Sequence, residues 1–248
     1  TTEVENFPGY PDGITGPELM ADLKKQAEKF GVRFAYKTAT SVDFSQQPLK
    51  IYCKDELFET KTVIIATGAT ARYIGLESEK RFMNKGVSAC ATCDGALPRF
   101  RGKTVVVVGG GDTAMEESLF LANFAGCVHV VHRRDKFRAS KIMGERVVNH
   151  PKITVEWNSV VDEILGNDTD GVTGVRLLDT ITNKTRELEC VGYFAAIGHK
   201  PNSDLFKGIL DMEESGYLVT RPGSTYTNVP GVFACGDVQD KIYRQAIT

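Results

Sequence analysis

The chain has 248 residues, of which 42% are apolar and 25% charged, with a formal net charge of −2. That balance permits a buried core, in one large domain or two modest ones. It gives no overall pull toward nucleic acid or an acidic membrane surface. Aliphatic runs are short, Val105 to Val108 being typical, which excludes a transmembrane helix within the chain.

In chain order, residues 1–16 are rich in Gly, Pro and Asn and read as loop. Thr15 or Gly16 caps a helix that reaches about Phe30, with Leu19, Leu23, Ala27 and Phe30 on one face and Gly31 as its stop. A short strand is expected over Val32 to Tyr36, then an edge meander from Asp43 to Leu57. Val63 to Ala66 reads as a buried parallel strand closing in the turn Thr67-Gly68-Ala69. The polar stretch 70–88 is a candidate domain boundary. A βαβ unit follows: strand Val105 to Val108, turn Gly109 to Ala114, helix Met115 to Phe124, strand Val128 to Val131. A helix from Ser140 to Val148 and a strand from Ile153 to Trp157 come next. Val160 to Leu165, Val172 to Leu178 and Glu187 to Ala196 read as a three-stranded antiparallel excursion. Gly198 to Asn202 is a second candidate boundary, and Val232 to Cys235 is a further buried strand ending in Gly236-Asp237.

Three stretches carry chemistry. Gly109-x-Gly111-x-x-Ala114 has the spacing of a dinucleotide fingerprint: a tight turn, a close approach of pyrophosphate to the backbone, and close packing of helix on strand. It follows a strand and opens a helix, the context the motif needs; a tight βα turn without ligand is the alternative. An NAD-selecting site places an acid about 20 residues on. This chain has His132-Arg133-Arg134 and Arg138 there, which suits the 2′-phosphate of NADPH; the alternative is a solvated basic loop.

The third stretch is Cys90-x-x-Cys93-Asp94. As zinc ligands the cysteines need a second pair or two histidines at a suitable spacing. As a structural bridge they close little chain entropy. As a redox dithiol they form a small reversible disulfide beside an acid that can move protons. Six cysteines in all, four of them isolated in sequence, suit an intracellular protein with one working pair. Cys127 and Cys235 read as core residues, Cys53 and Cys190 carry no assignment, and His199 reads as a hinge or hydrogen-bonding residue.

Taken together, Cys90-Ala-Thr-Cys93-Asp94, Gly109 to Ala114, His132-Arg133-Arg134 with Arg138, Gly236-Asp237-Val238 and Arg244-Gln245-Ala246 resemble the low-molecular-weight thioredoxin reductases. Glu5-Asn6-Phe7-Pro8-Gly9 and Ala66-Thr67-Gly68-Ala69 are similar to that family too, so the resemblance covers essentially the whole chain. It implies an α/β fold of two Rossmann-like dinucleotide-binding domains with antiparallel β excursions. The NADPH domain, 72–199, would be inserted in a discontinuous FAD domain, 1–71 and 200–248. NADPH would reduce FAD, and FAD the disulfide. Cys93 would lie against the flavin, Cys90 would attack the thioredoxin disulfide, and Asp94 would serve as acid–base.

The resemblance further implies that Gly109, Gly111, Asp112, Thr113, Ala114, His132, Arg133, Arg134 and Arg138 bind NADPH. Asn6, Thr67, Gly68, Gly236, Asp237, Val238, Arg244, Gln245 and Ala246 would bind FAD. It also implies a homodimer whose partner is thioredoxin, expected in the cytoplasm; the cysteine and histidine spacing, the net charge and the short aliphatic runs give the expectation of no metal, nucleic acid or membrane. The family's first glycine loop is expected before residue 1 and a helical segment after Thr248, so the chain reads as the middle and late part of a reductase. The rival expectations are a related reductase serving a peroxiredoxin or glutaredoxin-like partner, and an inactive NADPH-binding fragment.

Overall fold

The computed structural model describes Val4 and residues 7–243. Asn6, Arg244, Gln245 and Ala246 lie outside the described residues. The chain divides into two compact units: Ala71–Gly198 forms one, and the described residues up to Thr70 and from His199 onward form the other.

The flanking unit begins with α1 (Gly16–Lys29). Thr15 is its N-cap: the hydroxyl accepts from Glu18 N–H at 3.4 Å, and the Glu18 carboxylate accepts from Thr15 N–H at 3.3 Å, a reciprocal box worth about 1 kcal/mol. Of the expected apolar face only Leu19 is buried; Leu23 and Phe30 are exposed. No strand forms over Val32 to Tyr36, because these residues pair with no neighbouring ladder among the described residues. The expected meander is a three-stranded antiparallel sheet, β1 (Ser41–Asp43), β2 (Leu49–Cys53) and β3 (Glu56–Thr60). β4 (Val63–Ile65) precedes β5 (Ala69–Ala71). Ile65 of β4 is buried while Ile64 is 70% exposed, so this apolar run is covered on one side only.

The inserted unit holds α2 (Glu77–Arg81), β6 (Val87–Ser88), α3 (Ala91–Asp94), β7 (Thr104–Val108), α4 (Asp112–Leu121), β8 (Cys127–Val131), α5 (Lys141–Val148), β9 (Ile153–Glu156), β10 (Ser159–Asn167), β11 (Gly171–Asp179), β12 (Thr185–Glu189) and β13 (Gly192–Ala195). Its centre is a parallel sheet in the order β6-β13-β7-β8-β9. The four valines of β7 alternate between two cores. Val105 and Val107 pack with Ala114, Met115 and Leu121 of α4 and Val147 of α5. Val106 and Val108 pack with Val161, Ile164, Val172 and Val175 of the antiparallel layer β10-β11-β12. A strand covered on both faces has to read as an unbroken apolar run, and this one does.

The run Glu187 to Ala196 is not one antiparallel strand. It is β12, paired with β11, and then β13, which enters the parallel sheet between β6 and β7. The change of sheet occurs at Gly192, where a Cβ would stand 2.7 Å from the Phe100 ring. The flanking unit closes with β14 (His199–Pro201), paired with β5, and β15 (Val232–Ala234), parallel to β4. Leu49, Ile65, Phe206, Leu218 and Val232 lie in its own core. No helix among the described residues is long and apolar enough to cross a membrane.

Candidate active site

The glycine turn sits between the end of β7 and the start of α4, and its three glycines meet different surroundings. A Cβ on Gly109 would stand 2.4 Å from the Ala196 carbonyl oxygen, and one on Gly110 would stand 2.2 Å from the His132 ring. A Cβ on Gly111 would meet nothing within 4 Å. The first two glycines therefore serve packing, and the third faces open space. Gly111 is also the N-cap of α4 and offers no side-chain acceptor, so the first N–H groups of the helix are available to a ligand. Thr113 is half-buried and Ala114 fully buried against the sheet.

The basic segment is tied to this turn by its main chain. Arg138 N–H and Ala139 N–H both donate to the Gly110 carbonyl, at 2.7 and 3.1 Å. Asp112 Oδ1 accepts from Ser140 N–H at 2.9 Å. Arg133, Arg134 and Arg138 are exposed. His132 is buried beneath Gly110, and its Nε2 donates to the Lys136 carbonyl at 2.9 Å. Burial above all, together with the Arg134 and Arg138 charges, holds the imidazole below its usual pKa against its main-chain hydrogen bonds. Its observed partners are thus the turn and the loop, and its place is under the site.

Cys90 and Cys93 form a disulfide across α3, a single helical turn for which Cys90 is the N-cap. The Cys90 sulfur accepts from Cys93 N–H at 3.2 Å. Both cysteines and Asp94 are half-buried. The Asp94 Oδ2 accepts from the Ser88 hydroxyl at 2.6 Å, and Ser88 Oγ accepts from Cys90 N–H at 3.1 Å. α3 packs on α4 at Gly95, where a Cβ would lie 2.7 Å from Leu121 Cδ2. The Tyr73 hydroxyl has a raised pKa, from burial first and then from the charges of Glu79 and Asp94. Among the described residues no three His, Cys, Asp or Glu side chains gather to hold a metal ion.

In the other unit, the carboxyl ends of the paired strands β4 and β15 bring Thr67-Gly68 and Gly236-Asp237 to one edge. Asn202 locks the first turn: its side-chain amide donates to the Thr67 carbonyl at 2.9 Å, and the Thr67 hydroxyl donates to the Asn202 carbonyl at 2.7 Å. A Cβ on Gly68 would meet nothing within 4 Å. Val238 is fully buried in the core, and its carbonyl accepts from Leu218 N–H at 3.0 Å. Cys53 and Cys190 are buried, whereas Cys127 and Cys235, expected in the core, are only partly covered.

A family model for pyridine nucleotide-disulphide oxidoreductases matches residues 2–248. The chain belongs to that family. Within it, a "Thioredoxin reductase" of Dictyostelium discoideum is 51% identical and aligns with 100% of this chain and 78% of its own length. One from Chlamydia pneumoniae is 50% identical, with 100% and 80% covered. Among solved structures, a thioredoxin reductase from Giardia duodenalis superposes with a TM-score of 0.87 at 43% identity, over 99% of this chain and 80% of the other. One from Streptococcus pyogenes MGAS5005 gives 0.88 at 39% identity, over 99% and 78%.

For a pyridine nucleotide-disulphide oxidoreductase, the residues present fit a nucleotide pyrophosphate at α4: open space over Gly111, an uncapped helix start, and exposed guanidinium groups anchored to the same turn. The paired strand ends of β4 and β15, with open space at Gly68, fit a second nucleotide. Sequence reading did not single out three supporting residues. Asn202 reaches Thr67 and Glu79 reaches Tyr193 only because the fold brings those distant partners together, whereas Ser88 bonds Cys90 and Asp94, its near neighbours in sequence. A serine two positions before the first cysteine was the one local hint.

Proposed function

We propose that this oxidoreductase passes electrons from NADPH, by way of FAD, to the Cys90–Cys93 disulfide and on to oxidised thioredoxin. The observation that carries the reading is the disulfide with Asp94 on α3, packed through Gly95 on α4, the helix that starts at the glycine turn. The 71–198 unit would then bind NADPH and hold the disulfide, and the flanking unit would bind FAD. The turn and helix start at Gly111, Asp112 and Thr113 would receive the NADPH pyrophosphate, with Gly109, Gly110 and Ala114 packed beneath to set the close approach. Arg133, Arg134 and Arg138 would hold its 2′-phosphate with forked, charged hydrogen bonds, and His132 would support them from beneath. Thr67, Gly68, Gly236 and Asp237 would face FAD, joined by Asn6, Arg244, Gln245 and Ala246, while Val238, expected among them, lies buried in the core beneath. A bound flavin supplies the two-electron link between nicotinamide and disulfide. The reading takes from the resemblance a cytoplasmic homodimer, and the mass of the full-length protein in solution checks the dimer.

The protein's own groups do the sulfur chemistry. Once the pair is reduced, the Cys90 thiolate attacks a thioredoxin sulfur, a mixed disulfide forms, and the departing thioredoxin sulfur takes a proton that Asp94 can supply. Cys93 then attacks Cys90, which restores the internal disulfide and releases the second thioredoxin thiolate. Turnover of thioredoxin with NADPH by the full-length, flavin-loaded protein tests the reading. Cys93→Ser should keep NADPH-driven bleaching of the flavin and lose thioredoxin reduction. Unchanged thioredoxin turnover in that variant would refute the assignment.

A further inference from the structure

We propose that Ser88 is a positioning residue for proton transfer at the disulfide: its hydroxyl couples the Asp94 carboxyl to the main chain of Cys90. The inference rests on the reading of Cys90 and Cys93 as the redox pair. Ser88 lies at the end of β6, in the sheet edge strand next to β13, and is 7% exposed. Three groups stand around its oxygen. Cys90 N–H points at it from 3.1 Å, Asp94 Oδ2 lies at 2.6 Å, and the Cys90 carbonyl oxygen lies at 3.5 Å. A hydroxyl has one proton to give. With Asp94 ionised, that proton goes to the near carboxylate oxygen, and Cys90 N–H fills a lone pair.

With Asp94 protonated on Oδ2, the same oxygen accepts from the acid, and the hydroxyl turns its proton toward the Cys90 carbonyl. Both protonation states of the acid thus find a partner without any movement of the backbone. Such a chain of bonds strengthens each member. It also ends on the cysteine whose sulfur must gain or lose charge.

The redox balance requires a proton handler at this place. Breaking the Cys90–Cys93 bond takes two electrons, which the pyridine nucleotide supplies, and two protons if both sulfurs end as thiols. One proton accompanies the hydride chemistry of the nucleotide, NADPH plus H⁺ giving NADP⁺ and two thiols in sum. When a reduced cysteine then attacks an external disulfide, one S–S bond forms, one breaks, and the leaving thiolate takes a proton. Asp94 can serve that step only if its carboxyl is held in one place, and β6 fixes Ser88 while α3 alone is a single turn.

The test uses the full-length, flavin-loaded protein in anaerobic single turnovers. NADPH is added and the reaction is quenched with an alkylating agent. The gain of mass on the Cys90–Cys93 peptide then gives the rate of disulfide reduction, and kcat and KM for thioredoxin are measured in parallel. Ser88→Ala should lower the thioredoxin kcat at least ~10-fold with KM little changed. Ser88→Thr, which keeps the hydroxyl, should recover most of it. In an Asp94→Ala background, Ser88→Ala should cost nothing more, because the two groups act as one. NADPH-driven reduction of an artificial dye, which needs no disulfide, reports that each variant is folded.

A Ser88→Ala protein as fast as the parent overturns the proposal, and so does a loss that persists in full without Asp94. If the unaltered protein reduces its own disulfide but not thioredoxin, the thioredoxin reading fails. The Ser88 comparison then stands on the single-turnover rates. If NADPH leaves the pair oxidised, both fall.

Discussion

At the residue scale, the three glycines of the β7–α4 turn make separable predictions. Gly110→Ala forces a methyl group into the His132 ring at 2.2 Å, and both neighbours are buried, so the turn has to move. A loss of about 1–3 kcal/mol is expected from overpacking, read as a lower midpoint of chemical unfolding. Gly111→Ala meets nothing within 4 Å and its φ of −100° suits any residue. Its unfolding midpoint should stay near that of the parent while NADPH binding weakens, as followed by calorimetric titration. Loss of stability in Gly111→Ala with intact nucleotide binding would reverse the roles assigned to these positions.

At the scale of elements, two carboxylates fasten pieces of the 71–198 unit. Glu79 of α2 is 1% exposed. It accepts from the N–H groups of Ile74, Gly75 and Leu76 at 3.1, 2.7 and 3.0 Å and from the Tyr193 hydroxyl of β13 at 2.7 Å. Glu79→Ala removes the acceptor of all four, but Ile74 and Gly75 are exposed and the Tyr193 hydroxyl is the donor of a fully buried residue, so a destabilisation of about 1–3 kcal/mol is expected from leaving that buried donor unpaired. Thermal unfolding measures it. Glu156 of β9 bonds His129 Nδ1 at 2.7 Å and also pairs with Arg186 of β12. The His129 hydrogen bond, then the Arg186 charge, hold its carboxyl below the usual range, against partial burial. A lowered folded-state pKa means that the unfolded chain binds more protons in acid. The stabilisation is therefore present above the ordinary carboxylate pKa and is lost as pH falls through the folded value. Unfolding midpoints measured from pH 7 down to pH 3 should fall less steeply in Glu156→Gln than in the parent.

At the scale of the molecule, the chain enters the 71–198 unit once and leaves it once, and that unit contains its own parallel sheet and two cores. The flanking unit is built from two stretches of chain that must meet, because β4 precedes the insertion and its partner β15 follows it. Residues 71–198 expressed alone should therefore fold cooperatively and bind NADPH, as circular dichroism and nucleotide titration would report. Residues 2–70 alone should not fold, since β4 and Ile65 lose the core supplied by Phe206, Leu218 and Val232. A 71–198 segment that stays unfolded would show that its cores depend on the rest of the chain.

The sequence by itself determined what is written in contiguous residues. Four valines made β7, Gly109 to Gly111 made its turn, Thr15 and Glu18 made the cap of α1, and the spacing of Cys90 and Cys93 made a closable ring. Each of these depends on neighbours within a few positions, so local rules suffice to read them. Tertiary structure decided what depends on distant partners. It split the run Glu187 to Ala196 between two sheets, because Gly192 can pass Phe100 and the buried strand slot beside β7 accepts Gly192 to Ala195. It left Val32 to Tyr36 without a ladder and turned His132 under the glycines. It also joined Glu79 to the Tyr193 hydroxyl at 2.7 Å across the length of the unit's chain. Hydrogen bonding and close packing act on separation in space, and for these residues only the completed fold sets that separation.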